Sequence, residues 1–433
     1  MSDARYTAVK LLCKTFSGGS YSNIQLNSGL KKSGLAERDR KLCSLIYYGV
    51  IERKIYLDYV IEKFSSRPLK KLDDVILNIL RCGVYQLMFT ENIPESAVVN
   101  ESVTLARKFG KKSASGMVNA LLRNFIRQGK TVQLPEDRYK RYSIEYSAPP
   151  EFIESLITDY GEELALNLLA DSSGSPPVTV RMNTLKCTEQ EFISALGNIK
   201  AIKSGIVPES YSLSGDVTDT KAFRKGYFHV QDIASQLCCK SLAPAEEDVV
   251  LDICSAPGGK AFTMAEMMRN KGKIMAFDLH EKRVELIRSG AERLGLTNIY
   301  ADTGDALRYN PELPEFDKIL CDVPCSGWGV VRRKPEIKYK NPDNFSGLPE
   351  IQYNILENAL KYLKTGGEIV YSTCTLRKAE NENVIERLLS GHNEIEPVPL
   401  PEPLGGKFGS MASIFPCHYG SDGFFIAKLR KVR

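Results

Sequence analysis

Four histidines and a single tryptophan occur in the 433 residues of this chain. The histidines are dispersed, and Cys321-x-x-x-Cys325 has no partner pair at finger spacing, which argues against a bound metal. Long apolar runs are also missing, and no stretch approaches the roughly 20 residues that a membrane span needs. The start, Met1-Ser2-Asp3-Ala4-Arg5, has no apolar segment behind a basic end, which argues against a secretory signal. No internal repeat or low-complexity tract is present, which excludes a solenoid and a linker-dominated chain. The eleven cysteines are scattered and odd in number, so reduced thiols in a cytoplasmic protein are expected rather than a disulfide framework.

What is present is an ordinary folded composition, 43% apolar and 26% charged, in a chain long enough for two or three domains. Charge is unevenly spread. Residues 1–150 hold 25 Lys+Arg against 14 Asp+Glu, and the remainder holds 33 against 39. A basic first third, with Lys31-Lys32, Lys70-Lys71, Lys111-Lys112, Arg123, Arg127, Lys140 and Arg141, predicts contact with a polyanion. A solvated helical surface is the competing explanation of the same charges.

Periodicity divides the chain further. Residues 1–142 read as helical. One helix opens at Asp73-Asp74 and carries Ile76, Ile79, Leu80, Leu87 and Met88; another carries Val118, Leu121, Leu122, Phe125 and Ile126. Ala148-Pro149-Pro150 and Ser172-Ser173-Gly174-Ser175-Pro176-Pro177 are breakers. Residues 143–240 predict a small α+β module: a strand at Val178–Asn183, a helix at Thr188–Leu196, and strands near Ile206 and at Tyr227–Val230. From 241 to 433 apolar strands alternate with helices, the pattern of a doubly wound α/β domain with a largely parallel sheet.

Within that domain Val249–Ile253 leads into Cys254-Ser255-Ala256-Pro257-Gly258-Gly259-Lys260, a strand, a Gly-rich turn and a helix start. The turn lets a ligand approach the backbone closely, yet it is neither G-x-G-x-x-G nor a phosphate-binding loop. Asp278 ends the next strand, where a carboxylate can take both hydroxyls of a ribose. Gly304-Asp305 follows the third strand, where an Asp can face the amino group of an adenine. An adenosine-bearing ligand without a phosphate loop predicts S-adenosylmethionine. Cys325, in Asp322-Val323-Pro324-Cys325, and Cys374, in Tyr371-Ser372-Thr373-Cys374-Thr375, each follow an apolar strand. Two thiols at strand ends, on the edge where open α/β sheets hold ligands, suggest a nucleophilic thiolate with a second thiol beside it. Adjacent Cys238-Cys239 reads as core.

Ala256-Pro257-Gly258-Gly259-Lys260, Asp322-Val323-Pro324-Cys325-Ser326-Gly327, Tyr371–Thr375, Glu380-Asn381-Glu382 and Asp422–Lys428 together resemble the ordered motifs of RNA cytosine-5 methyltransferases. The basic helices, with Val118–Arg123, resemble the NusB-like domain on a branch of that family acting on 16S ribosomal RNA. The resemblance implies a Rossmann-like S-adenosylmethionine-dependent domain, an RRM-like α+β module and a NusB-like RNA-binding domain. It implies Cys374 as the nucleophile at cytosine carbon 6 and Cys325 as the group that assists release. Asp322 would hydrogen-bond the amino edge of the base. Lys260 either steadies the base by charge or serves only the helix start. Cofactor contacts fall on Cys254, Ser255, Ala256, Pro257, Gly258, Gly259, Lys260, Asp278, Asp305 and Asp322. The implied partner is naked or early-assembly 16S rRNA, met by a monomer without metal or membrane. Arg332-Arg333-Lys334 either grips RNA phosphates or is a solvated loop. Ser255 and Ala261 depart from the commoner Ala and Thr. A tRNA substrate, or a non-catalytic antitermination role, are the alternatives that intact Cys374, Cys325, Asp322 and the helical first third disfavour.

Overall fold

The computed structural model describes residues 3–18, 22–174, 176–215 and 217–433; Met1-Ser2 and Ser175 of the sequence-predicted features lie outside them. Two units emerge, one of residues 1–174 with 331–340, the other of 175–330 with 341–433.

The first unit is helical. Asp73 caps the helix Asp74–Phe89 by accepting from the Val75 amide at 3.0 Å, and Ile76, Ile79 and Leu80 face inward. The helix Ser115–Arg127 buries Val118, Leu121, Leu122 and Phe125 and leaves Arg123 and Arg127 exposed, the amphipathic split its sequence predicts. The boundary expected at 142 lies inside this unit. Ala148-Pro149-Pro150 breaks the chain between the helices Arg138–Glu145 and Pro150–Tyr160, and Pro150 opens the second, a position where proline's missing amide costs nothing. A segment from late in the sequence completes the unit. Lys338 Nζ donates to the carbonyls of Glu52 (2.8 Å) and Tyr146 (3.3 Å), and Tyr339 Oη to those of Glu52 and Ser147, both at 3.0 Å. Glu336 accepts from the amide and hydroxyl of Ser22 at 2.9 and 2.7 Å.

The second unit holds two sheets. The smaller is antiparallel, in the order β2-β3-β1-β4, built from β1 (Val178–Met182), β2 (Ala201–Lys203), β3 (Ser210–Leu213) and β4 (Phe228–Val230). The strand expected near Ile206 is thus two short strands with a turn between them. Ser204 Oγ accepts from the amides of Ile206 and Val207 at 3.1 and 3.3 Å and makes the turn. One sheet face, with Val180, Met182, Tyr211, Leu213 and Phe228, packs on Phe192 and Leu196. The helix carrying those two, Glu189–Leu196, opens with a Thr188/Glu191 capping box.

The other face turns toward the helix Gly259–Met267. Arg181 Nε donates to Glu266 at 3.0 Å, His229 Nε2 lies 3.2 Å from Thr263 Oγ1, and Gln231 Nε2 donates to the Gly259 carbonyl at 3.0 Å. RNA-binding sheets of this topology stack bases on aromatic side chains of the exposed face. Here Thr179 and Arg181 of β1, with their partners Ser212 and Ser210 of β3, are not aromatic, and Thr179, Arg181 and Ser210 are buried. The face is committed to steadying the helix behind the Gly-rich turn.

The larger sheet runs β10-β12-β9-β8-β5-β6-β7, with β11 on β12. Its strands are β5 (Val249–Asp252), β6 (Lys273–Asp278), β7 (Ile299–Thr303), β8 (Phe316–Asp322), β9 (Leu363–Thr373), β10 (Ile395–Pro397), β11 (Met411–Ile414) and β12 (Phe424–Lys431). From β9 through β7 neighbouring strands are parallel; β12 joins β9 antiparallel. The chain order reverses between β5 and β8, so the ends of β5, β6, β8 and β9 border the crevice where such sheets hold ligands. Cys238, Cys239 and Cys321 are buried in the apolar layers. Among the described residues no helix is long and apolar enough to cross a membrane.

Candidate active site

Strands β8 and β9 are neighbours in register, with Asp322 opposite Ser372. The loops that leave them therefore start side by side, and they bring Cys325 Sγ within 3.2 Å of Cys374 Sγ. The hydrogen bond with Cys374 and burial together hold the Cys325 thiol well above the usual cysteine range, so Cys325 stays protonated. A glycine sets the approach of the second loop. The Gly329 amide donates to the Cys374 carbonyl at 3.0 Å, and its own carbonyl accepts from Gly423 at 2.8 Å. A Cβ at Gly329 would lie 1.9 Å from the Gly423 carbonyl oxygen, so no other residue permits this clamp. Trp328, beside it, is buried and lies 5.1 Å from the Arg377 guanidinium.

Asp322 is fixed from both sides. Lys260 Nζ donates to one carboxylate oxygen at 2.6 Å and Ser372 Oγ to the other at 2.8 Å. Lysine in the first turn of a helix opposes the helix dipole, so a helix-start role does not explain it. Its partner does. Burial alone would pull Lys260 down, but the adjacent Asp322 charge outweighs it and holds the ammonium above the usual lysine range. The Phe424 ring, 5.1 Å from Nζ, closes one side of the pair.

The Gly-rich turn follows β5. Gly258 has φ +102°, and a Cβ there would meet the Phe262 ring at 2.5 Å. Ser255 ties the turn to β6 by donating its amide to the Phe277 carbonyl at 2.7 Å. Asp278 is buried at the end of β6 and pairs with Arg283 at 3.1 Å; Arg283 also donates to the Ala256 carbonyl at 2.6 Å. Beside the end of β6 a cavity of about 190 Å³ has apolar walls from Leu251, Ile253, Phe277 and Tyr362 and a polar edge of Thr303, Asp305, Arg308 and Asn310, with Asp305 paired to Arg308 at 3.3 Å. Asp252 is fully buried, and burial, opposed in part by the Ser255 hydroxyl, pushes it up to about 7. A slot with apolar walls and Asp305 on its edge, beside the strand that ends at the buried Asp278, fits an adenosine.

The sequence-predicted residues thus divide by neighbourhood. Cys325, Cys374, Asp322 and Lys260 gather at the ends of β8 and β9, and Asp278 and Asp305 at the ends of β6 and β7. Cys254 packs against the apolar layer, where burial raises its thiol. Arg332-Arg333-Lys334 belong to the segment that completes the helical unit and are half-buried. Sequence reasoning missed Arg283 and Gly329. The basic residue one turn beyond a strand-end Asp, and a Trp-Gly pair just past the Pro-Cys loop, were the available signals. Among the described residues no His, Cys, Asp and Glu cluster could hold a metal ion.

Residues 239–430 match the model of the 16S rRNA methyltransferase RsmB/F family, and residues 2–127 that of the NusB family. A probable ribosomal RNA small subunit methyltransferase B of Bacillus subtilis (strain 168) is 36% identical over 99% of both chains. A ribosomal RNA small subunit methyltransferase B of Pseudomonas syringae pv. tomato is 31% identical, over 99% of this chain and 97% of that one. The solved structure titled Crystal Structure of PH0851 superposes with a TM-score of 0.84 at 25% identity, over 99% of this chain and 98% of that one. With a full-length relative above 30% identity and both of its domains matched, the chain belongs to the RsmB/F family of S-adenosylmethionine-dependent rRNA methyltransferases, carrying a NusB-family domain ahead of the catalytic one.

Proposed function

We propose that this enzyme methylates carbon 5 of a cytosine in 16S ribosomal RNA, in the cytoplasm, through a covalent bond between Cys374 and carbon 6. The observation that carries the reading is the approach of two thiols to 3.2 Å at the ends of adjacent parallel strands, beside a carboxylate held by Lys260 and Ser372. Carbon 5 of cytosine is a poor nucleophile. Addition of the Cys374 thiolate to carbon 6 turns the ring into an enamine whose carbon 5 can attack a methyl group. S-adenosylmethionine, when bound, supplies that methyl on a sulfonium. Loss of the proton from carbon 5 then restores the double bond and expels Cys374. The base gains one methyl and loses one proton.

Each residue has a task in that sequence. Asp322, its carboxylate oriented by Lys260 and Ser372, takes the amino edge of the cytosine. Cys325 keeps its proton while Cys374 is its unbonded neighbour. As Cys374 departs, Cys325, 3.2 Å away, hands it the proton it has kept and takes the carbon 5 proton in its place, so both cysteines end as thiols. Asp278 and Asp305 hold the ribose and adenine of the cofactor, with Cys254–Lys260 supplying the turn. The exposed Arg123 and Arg127 of the NusB-family domain meet RNA phosphates.

The test is transfer of tritium from methyl-labelled S-adenosylmethionine to naked 16S rRNA, assembled 30S subunits and bulk tRNA, followed by base analysis. Label is expected in 5-methylcytosine of naked 16S rRNA with a monomeric enzyme. Label confined to tRNA would refute the ribosomal substrate, and label on another base or atom would refute the carbon 5 chemistry.

A further inference from the structure

Two consecutive residues outside the site described above touch both thiol loops. Glu380 is fully buried, and one carboxylate oxygen accepts from the Ser326 amide at 2.9 Å and from Gln352 Nε2 at 3.0 Å. Gln352 Nε2 also donates to the Pro324 carbonyl at 2.9 Å. Glu380 and Gln352 therefore grip the residue on each side of Cys325. The second carboxylate oxygen accepts from Arg377 at 3.1 Å, which offsets the cost of a buried charge.

Asn381 does the same for the other thiol. Its Oδ1 accepts from Thr373 Oγ1 at 2.6 Å and its Nδ2 donates to the Thr375 carbonyl at 3.1 Å, on either side of Cys374. Asn381 stands at the N-cap of the helix Glu382–Gly391, where an Asn side chain ordinarily satisfies a free helix amide. Here it makes no such bond. The side chain is spent on the Cys374 loop instead. A third bond, Ser326 Oγ to Thr375 Oγ1 at 2.8 Å, pins together the residues that follow the two cysteines.

We propose that Glu380 and Asn381 are positioning residues that divide the labour of the thiols: Glu380, with Gln352, holds Cys325 for release, and Asn381 holds Cys374 for attack. The inference rests on the covalent reading above. Neither residue touches substrate. Because they grip different loops, loosening each slows a different step.

The experiment compares Glu380→Gln, Gln352→Met, Asn381→Ala and Cys325→Ala in the full-length enzyme with naked 16S rRNA and tritiated S-adenosylmethionine. Readouts are the single-turnover burst, steady turnover, RNA–protein complex surviving denaturation, and cofactor affinity. Glu380→Gln replaces an acceptor with an amide facing donors on Ser326 or Arg377. It should keep the burst within about threefold, lower turnover at least about tenfold and accumulate the complex. Gln352→Met leaves the Glu380 bonds to Ser326 and Arg377 in place, and should show the same pattern even if Glu380→Gln fails to fold. Asn381→Ala should slow the burst by about 100-fold, the scale of a roughly 1 Å misplacement, and form no complex. Cofactor affinity should stay within about twofold throughout. No complex in Cys325→Ala would overturn the covalent reading itself. A complex in Cys325→Ala but none in Glu380→Gln or Gln352→Met would overturn the division of labour alone. So would equal losses of burst and turnover in all three positioning variants, the signature of a merely structural role.

Discussion

Asp252 ends β5 with both carboxylate oxygens buried, and burial outweighs the Ser255 hydroxyl and raises it from an ordinary 3.8 to about 7. Replacing it with asparagine keeps the shape and removes the titration. A carboxyl raised on folding contributes its stability below pH 3.8, where both states hold the proton, and loses it as pH rises through 7. Over that window the native state binds more protons than the unfolded state, and native stability falls by about 1.4 kcal/mol per pH unit. The full span is worth ~4 kcal/mol, of which ~2.5 kcal/mol falls between pH 5 and pH 8. Asp252→Asn without cofactor should therefore gain on the parent enzyme by that amount as pH rises from 5 to 8, and level off above. The only tryptophan of the chain, Trp328, is buried in the catalytic unit, so its emission in a urea titration follows that unit. A stability difference that stays flat from pH 5 to 8 would refute the argument, because it would mean that Asp252 titrates alike in both states.

Three further outcomes are expected. Cys374→Ala should abolish methyl transfer and any denaturation-resistant RNA complex while cofactor binding persists, whereas Cys325→Ala should stop turnover and accumulate that complex; accumulation in Cys374→Ala instead would reverse the two roles. Lys112→Ser and Arg123→Ser, both exposed on the helical unit, should each lower the slope of log RNA affinity against log salt by ~0.7–0.9 if each contacts one phosphate, and unchanged slopes would make that surface merely solvated. Burial would raise Glu368, but hydrogen bonds from Lys318, Arg430 and Lys428 outweigh it and hold the carboxyl at about 2. Its stabilisation is present above pH 4.5 and lost as pH falls toward 2, so Glu368→Gln should cost up to ~3 kcal/mol at pH 7 in urea unfolding, with the gap closing in acid.

The site was legible in the sequence where local chemistry fixes the residue type. Only glycine suits φ +102° against the Phe262 ring at position 258, and Asp278, Asp322, Cys325 and Cys374 all sit at or just past a strand end. Local pattern failed where a distant partner decides. Ile206-Val207 reads as strand because it is apolar, yet Val207 is buried in the core of the large sheet while Ser204 turns the backbone. Glu380 and Asn381 belong to a motif whose resemblance was visible. Their division between the two thiols was not, because Ser326 and Gln352 come to Glu380 from 28 or more positions away.

The segment 331–340 carries the same lesson furthest. In sequence Arg332-Arg333-Lys334 reads either as a grip on RNA phosphates or as a solvated loop, and Lys338 carries no signal of its own. Lys338 is buried beneath the carbonyls of Glu52 and Tyr146, and burial pushes it down to about 7. Leaving those carbonyls or that ammonium unpartnered would cost several kcal/mol, so the segment and the helices fold as one body. The chain passes from the Pro-Cys loop into this segment within a few residues of Gly329, the glycine that clamps the Cys374 carbonyl. A fragment beginning near Pro150 would lack the helix Glu37–Glu52, which supplies the Glu52 carbonyl to Lys338 and Tyr339. Lost RNA affinity in such a fragment would mix missing charge with the loss of the Glu52 carbonyl that Lys338 and Tyr339 bind. Charge substitution at Lys112 and Arg123 leaves that packing whole, and so isolates the electrostatic contribution of the basic first third.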